Sequence, residues 1–279
     1  MRDHECVCIV DACVADRAPD TPPSVENSHV TRIGLISDIH SNLESLEAVL
    51  CDVSLAGIDT LICLGDITGY GPNPSECVDL IREACDLVVL GNHDEAMIDP
   101  EIGDRFRGSA QLALEYNRSN LTSQQLRYLR SLPERTEFGD LSVTHACFGP
   151  NKYDYLYSRE TASQAFANMP TRFGAVGHTH LPSTFHCCAK SEGLPDQITM
   201  EPVVGRASLP IPENCRMIIN PGSVGQPRDR NPDASWAVLD TEASTFQIRR
   251  VWYDVMQVEQ KVLASGLPVA HGERLRVGA

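Results

Sequence analysis

Three short apolar runs end in the same way, and that shared ending constrains this chain more than any other feature. Thr31–Ile39 closes on Asp38-x-His40, Thr60–Leu64 on Gly65-Asp66, and Leu87–Leu90 on Gly91-Asn92-His93-Asp94. Runs of this length, apolar until a polar turn stops them, read as buried parallel strands. Between the first two, Leu43, Leu46, Val49, Leu50 and Val53 recur at helical spacing, with Ser41 or Asn42 as the cap and Gly57 as the stop. Between the second and third, Val78, Ile81 and Cys85 predict a helix from about 75 to 85. The pattern is β-α-β-α-β, which implies parallel strands joined by right-handed crossovers.

The second half changes character. Residues 108–118 and 122–131 carry helical spacing, the second stretch opened by Thr122 and Gln125 as a capping box. Short strand-like runs follow at Leu141–Thr144, Ala175–Val176, Met217–Ile219, Trp236–Leu239 and Phe246–Tyr253, with helical patterns near 161–169 and 255–264. Strands from both halves predict an α/β fold in which two mixed β-sheets pack as a sandwich flanked by helices. No linker or repeat divides residues 30–279, which read as one domain. Residues 1–29, ending in the breaker-rich APDTPPSVENS, read as a mobile extension. The 186–214 stretch reads as a hairpin or loop at the domain's rim.

Charge narrows the function classes. Lys and Arg number 23 against 38 Asp and Glu, a net charge of −15. Such a surface repels nucleic-acid backbone and anionic lipid, so neither is expected as a partner. No run approaches the roughly 20 apolar residues of a bilayer span, and MRDHECVCIVDACVADRAPD breaks its apolar stretches with acids, as a signal peptide does not. Eleven scattered cysteines, several inside apolar runs (Cys51, Cys63, Cys85), fit a cytoplasmic protein whose thiols are small buried hydrophobes. Cys6, Cys8 and Cys13 lack a second Cys/His pair at finger spacing and are expected to be incidental. Cys187 and Cys188, being adjacent, are not expected to pair with each other.

The strand ends carry the chemistry. Later runs add Thr144-His145 and Gly177-His178-Thr179-His180 to the first three. Each motif alone has an ordinary use: Asp-x-His is common in turns, and a lone His after a strand bonds to backbone. Five successive strand ends supplying two carboxylates, one carboxamide and four or five imidazoles are a different matter, because strand C-termini are where ligands collect in α/β sheets. His178 and His180, two apart, face the same side. Nitrogen and oxygen donors without thiolate select a borderline divalent ion: Mn, Fe, Zn or Ni.

The series D-x-H, G-D, G-N-H-D, H and G-H-T-H resembles the calcineurin-like metallophosphoesterase superfamily. GDITGYGPNPSECVDLIR, VVLGNHDEAM and NPGSVGQPRD are similar to its small bacterial and archaeal phosphodiesterase-like branch, and the likeness runs from about Thr31 to Asp254. The resemblance implies that family's four-layer fold and two divalent metals bridged by Asp66. One metal would be held by Asp38, His40, Asp66 and His180, the other by Asp66, Asn92, His145 and His178. It also implies that His93 contacts substrate or protonates the leaving group as an imidazolium, with Asp94 orienting its ring. A water bridging two dications is deprotonated near neutral pH and attacks phosphorus in line, so the implied activity is hydrolysis of a phosphate ester.

Departures from the family pattern shape the substrate expectation. Protein phosphatases of the superfamily, and diadenosine tetraphosphatases, carry an arginine just after the bridging aspartate. Gly65-Asp66-Ile67-Thr68-Gly69-Tyr70-Gly71 has none. Small phosphodiesters or nucleotides are therefore expected over phosphoproteins, with Asn92, His93 and Arg228 touching the substrate. The alternatives are a phosphomonoesterase or protein phosphatase of the same fold, or a non-catalytic scaffold that kept it. The presence of all seven ligand positions and His93 argues against the scaffold.

Overall fold

The first strand, β1 (Arg32–Ile36), lies inside a six-stranded sheet, parallel to β2 (Thr60–Cys63) and antiparallel to β11 (Ala234–Asp240). β3 (Leu87–Val88) pairs parallel with β2, and β12 (Thr245–Val251) and β9 (Ser208–Pro210) complete the order β3-β2-β1-β11-β12-β9. The second sheet runs β4 (Arg135–Phe138), β5 (Leu141–Thr144), β6 (Phe173–Ala175), β10 (Cys215–Asn220), β7 (Ser183–Cys188), β8 (Gln197–Pro202). Its β5–β6 and β6–β10 pairs are parallel and the rest antiparallel, so both sheets are mixed. This computed structural model describes residues 31–189, 196–203, 205 and 208–279. The extension at 1–29, with Cys6, Cys8 and Cys13, lies outside the described residues.

Period-two alternation makes the sandwich. Ile62 and Leu64 point from the first sheet toward Val143, Phe173, Met217 and Ile219 of the second. Their neighbours Leu61 and Cys63 point the other way, into a core shared with α1 (Leu43–Leu55), α2 (Pro74–Ala84) and α8 (Val255–Ala264). On the outer face of the second sheet, Phe185 and Ile218 pack against α7 (Arg159–Asn168) through Ala162, Ala165 and Phe166. Helices therefore cover both outer faces, as expected, and no helix among the described residues is long and apolar enough to cross a membrane.

Local chemistry sets the element ends. Asn42, of the two candidate caps, accepts from the Ser45 N–H at 3.2 Å, and α1 stops just before Gly57. Thr122 and Gln125 close the expected capping box at the start of α6 (Ser123–Ser131), which follows α5 (Ser109–Ser119). β1 is shorter than the apolar run because Ser37, Asp38 and Ile39 leave the ladder to build a loop. Two short helices, α3 (Asn92–Ile98) and α4 (Pro100–Gly103), stand where the sequence pattern gave only a polar turn. The chain ends in α9 (Ala270–Glu273) and a 3₁₀ turn at Arg274–Val277.

The 186–214 stretch is more than a rim loop. β7 and β8 form a hairpin extending the second sheet, and β9 crosses to the edge of the first. The reading of the cysteines as unpaired is corrected here: Cys188 on β7 and Cys215 on β10 stand opposite each other in register and form a disulfide. Their 27-residue separation hides a partnership that only strand register creates.

One polar knot ties α1 to the first sheet. Asp52 accepts from the indole Nε1 of fully buried Trp236 at 2.9 Å and from Nε and Nη2 of Arg249, each at 2.8 Å. Asp52→Ala strands the indole N–H, and the expected loss is about 1–3 kcal/mol of stability. A denaturant midpoint equal to that of the parent protein would remove this knot from the account.

Candidate metal centre

The loops after β1 and β2 are zipped together by backbone. Asp38 N–H donates to Gly65 O at 3.0 Å, His40 N–H to Asp66 O at 3.0 Å, and Ser41 N–H to Ile67 O at 2.9 Å. The loop after β6 joins them from the second sheet, where His178 N–H donates to Asp38 Oδ2 at 3.0 Å. Asn220, buried at the end of β10, holds that loop by donating to Gly177 O at 2.6 Å and Thr179 Oγ1 at 3.0 Å. The result is strained. Asp38, His40, Asp66, His178 and His180 have φ of 55°, 47°, 52°, 67° and 60°, a left-handed region that non-glycine residues avoid. Such conformations cost roughly 1–3 kcal/mol each and persist where the surroundings over-determine them, commonly at functional sites. Two glycines permit the close approach: a Cβ at Gly177 would collide with Ser37 Oγ, and one at Gly91 with the Asp66 nitrogen and Oδ1.

Three imidazoles are locked with the same nitrogen inward. Nδ1 of His40 faces Thr68 O at 3.0 Å, Nδ1 of His145 faces Leu64 O at 2.8 Å, and Nδ1 of His180 faces Gln226 O at 2.6 Å. A carbonyl only accepts, so each Nδ1 carries the hydrogen, and the Nε2 atoms of His40 and His180, both held neutral by burial, present lone pairs to the interior. There the lone pairs of His40 and His180 confront each other at 3.1 Å, with Asp38 Oδ1 3.4 Å from the second. His145 Nε2 likewise faces Asn92 Oδ1 at 3.1 Å and Asp66 Oδ2 at 3.3 Å. The buried His178 Nε2 has no hydrogen-bond partner among the described residues. Acceptors converging on acceptors in a dry interior need a cation between them. Ligand atoms of Asp38, His40 and His180 lie within 4.8 Å of one another, as do those of Asp66, His145 and His178, and those of His40, Asp66 and His93. Donors of this kind fit divalent metal, with backbone carbonyls supplying the outer hydrogen bonds that orient ligating histidines.

The electrostatics agree. Burial pushes Asp38 up to about 7, the nearby Asp66 charge adding to the rise while His145 opposes it. Burial also holds His40 and His180 well below the usual imidazole range and pulls His178 down to about 3. His145 is the exception: burial works against its charge, but Asp66 and its hydrogen bond raise it to about 9. Asp66 stays well below the carboxylate range despite burial, because of the His145 and His93 charges. The neutral rings of His40, His178 and His180 beside carboxylates are what a dication binds, and one held by His145 would take the place of its Nε2 proton.

Residues 31–244 match the model of the calcineurin-like phosphoesterase superfamily domain. This chain belongs to that superfamily. Over 255 residues it is 35% identical to an uncharacterised protein of Methanocaldococcus jannaschii, covering 88% of this chain and 98% of that one. The crystal structure of a metallophosphoesterase from Sphaerobacter thermophilus is similar at 34% identity and a TM-score of 0.76, covering 89% and 99% of the two chains. A shorter likeness, 28% over 133 residues, is to the symmetrical bis(5′-nucleosyl)-tetraphosphatase of Vibrio vulnificus, covering 47% of this chain and 49% of that one.

Around the centre of this phosphoesterase, His93 is the second residue of α3 and its ring meets His40, Tyr70 and Phe106 at centroid distances of 4.7, 4.7 and 4.8 Å. Its backbone N–H donates to Asp66 Oδ1 at 2.8 Å, so His93 also positions the aspartate. Asp94 departs from its expected role. It stands at the third position of α3, where its carboxylate accepts from Gly91 N–H (3.3 Å), Ile67 N–H (3.1 Å), and the Thr68 N–H and hydroxyl (2.9 Å each). It fastens the Asp66 loop to the helix start and makes none of these bonds to the His93 ring. Burial, with the His145 and Arg228 charges, takes His93 down to about 4.

Arg228 lies in the loop between β10 and β11. Half-buried, it donates to Gln226 Oε1 at 2.9 Å and to the Tyr70 hydroxyl, and its charge reaches His40, His178 and His180. Sequence reasoning missed Arg274, whose pKa is lowered by burial and then by Arg228. It comes from the C-terminal 3₁₀ turn, which no motif announces.

Two outcomes test the centre without turnover. Manganese at 100 times its Kd is expected to stabilise the protein by about 2.7 kcal/mol; no thermal shift with Mn, Zn or Ni would contradict the donor geometry. Gly91→Ala drives a methyl into Asp66 and should weaken ion binding by calorimetry at least tenfold, roughly 1.4 kcal/mol.

Proposed function

We propose that this chain is a divalent-metal-dependent phosphoesterase acting on small phosphodiesters or nucleotides. The observation that carries the reading is the set of imidazole Nε2 atoms converging on one another and on the Asp38 and Asp66 oxygens in a buried space. Asp38, His40, Asp66 and His180 would hold one ion, and Asp66, Asn92, His145 and His178 a second. Asp66 suits the shared position because its Oδ2 lies 3.3 Å from His145 Nε2 and 3.7 Å from His40 Nε2. Bound there, divalent ions supply Lewis acidity toward phosphate oxygens and lower the pKa of water. Mn, Fe, Zn and Ni all suit the donors.

The residues outside the donor set divide the remaining work. His93 contacts the phosphoryl group or passes a proton to the departing alkoxide; Asp94 positions the Asp66 loop; Arg228 draws in the ester's negative charge. The family likeness supports a hydrolase, and the partial likeness to a tetraphosphatase named for nucleosyl substrates supports nucleotides as a class. A second reading, a phosphomonoesterase, gains from Arg274: two arginines near the centre suit the two charges of a monoester.

Asp66→Asn is expected to lose metal from both positions, and a full complement by elemental analysis would remove the shared-ligand assignment. His93→Ala should keep its metal and lose about 10²–10⁴-fold in turnover. If His93 protonates the leaving group, that loss shrinks for esters with good leaving groups, and an equal loss on good and poor ones leaves only a contact role. An aryl diester and its monoester, assayed in parallel at matched metal and pH, decide the class. The diester should turn over faster, whereas a tenfold monoester preference, roughly 1.4 kcal/mol, establishes the second reading.

A further inference from the structure

A cavity of about 490 Å³ borders the metal centre, within the range of small-ligand sites. The two share walls. Thr179, between His178 and His180, lines the cavity, as does Asp229, next to Arg228. Its apolar wall comes from Leu181, Pro182, Met200, Pro202 and Val203, the last three from the hairpin stretch that the proposed chemistry does not use.

Two features give the cavity a chemical preference. Tyr155 stacks on His178 with ring centroids 4.2 Å apart, and Tyr157 stacks on Tyr155 at 5.2 Å with planes only 2° apart. This ladder leads from the metal centre to the cavity, where Tyr157 is part of the lining and 49% exposed. A flat aromatic side chain left open at the end of a stack receives another flat ring. The second feature is Asp229. One carboxylate oxygen pairs with Arg250, while Oδ1 is buried without a hydrogen-bond partner among the described residues. Oδ1 has almost no exposed surface and so lies behind the cavity's lining, where an N–H donor from a ligand reaches it once the Asp229–Arg250 pair shifts.

We propose that this cavity is a nucleobase subsite, with Tyr157 stacking the base and Asp229 Oδ1 accepting from a ring or exocyclic N–H, so that the substrate is a nucleoside phosphoester. This rests on the phosphoesterase reading and names its substrate class. The base lies in the cavity while the phosphoryl group sits at the Asp66 centre, and Arg228, next in sequence to the lining residue Asp229, has its charge on the centre's side.

The test is equilibrium binding to the full-length, manganese-loaded protein, using phosphonates whose C–P bonds are not hydrolysed. The probes are adenosine 5′-methylenephosphonate, the same ribose phosphonate without a base, and 2-(1-naphthyl)ethylphosphonate. The adenosine compound is expected to bind at least tenfold tighter than the base-free one. Tyr157→Ala should reduce that ratio below threefold, and Tyr157→Phe should keep it. The naphthyl compound, a ring without N–H, should fall between the other two; equal binding of naphthyl and adenosine probes overturns the Asp229 contact. A wild-type ratio near one, or a ratio insensitive to Tyr157→Ala, overturns the subsite. Metal-dependent hydrolysis of an aryl diester is measured alongside. Turnover with no base preference sinks the subsite alone, whereas a base preference without turnover upholds the subsite and sinks the phosphoesterase reading.

Discussion

Three backbone carbonyls govern what this molecule can bind. Thr68 O, Leu64 O and Gln226 O each take an Nδ1 hydrogen and leave an imidazole no choice of tautomer. In the neutral rings of His40 and His180 the inward nitrogens are then acceptors, facing each other and Asp38. Protonating the rings of His40 and His180 does not relieve the conflict, because burial holds both well below the usual range. Only a cation from outside resolves it. The side chains thus encode the donors, while the main chain of neighbouring loops encodes their direction.

That direction is purchased with strain, and the two sheets hold it. Five of the seven proposed ligands sit in left-handed backbone. Each belongs to a loop leaving a buried strand, and the loops are fastened to one another before any metal arrives. The decisive fastening crosses between sheets. Asp38, from the first, accepts from the His178 N–H of the second, and Gly177 N–H donates to His145 O at 2.6 Å. Sheet-to-sheet packing through Ile62, Leu64, Val143, Met217 and Ile219 therefore sets the geometry of the centre as directly as the ligands do.

What the sequence makes legible follows from where the physics is local. Apolar runs ending in acid or imidazole announce the strands and the ligands, because burial and donor chemistry are both written in residue type. The 255–264 helix pattern matches α8 to the residue, since its amphipathic spacing has a clear cap in Asp254. The failures are non-local or ambiguous. α3 starts in the same four residues that end a strand run, so its opening reads as a turn, and Asp94 reads as an acid orienting His93 when it serves the helix start and the Asp66 loop. β9 is exposed and three residues long, and β8 is largely exposed, with an alternation of only two apolar residues, Ile198 and Met200. The Cys188–Cys215 pairing and the approach of Arg274 exist only once distant segments are brought together.

Charge supplies the last constraint. A net charge of −15 repels every anion at long range, yet at physiological ionic strength that field is screened beyond about 8 Å. A polyanion meets the acidic surface along its whole length and accumulates the penalty with each phosphate. A small ester approaches at one point, and once inside that distance it feels Arg228, Arg274 and any bound dications more than the remote carboxylates. On the proposed reading, the overall acidity and the cationic character of a loaded centre would work together as a size filter, opposing long phosphate backbones and leaving short esters free to enter.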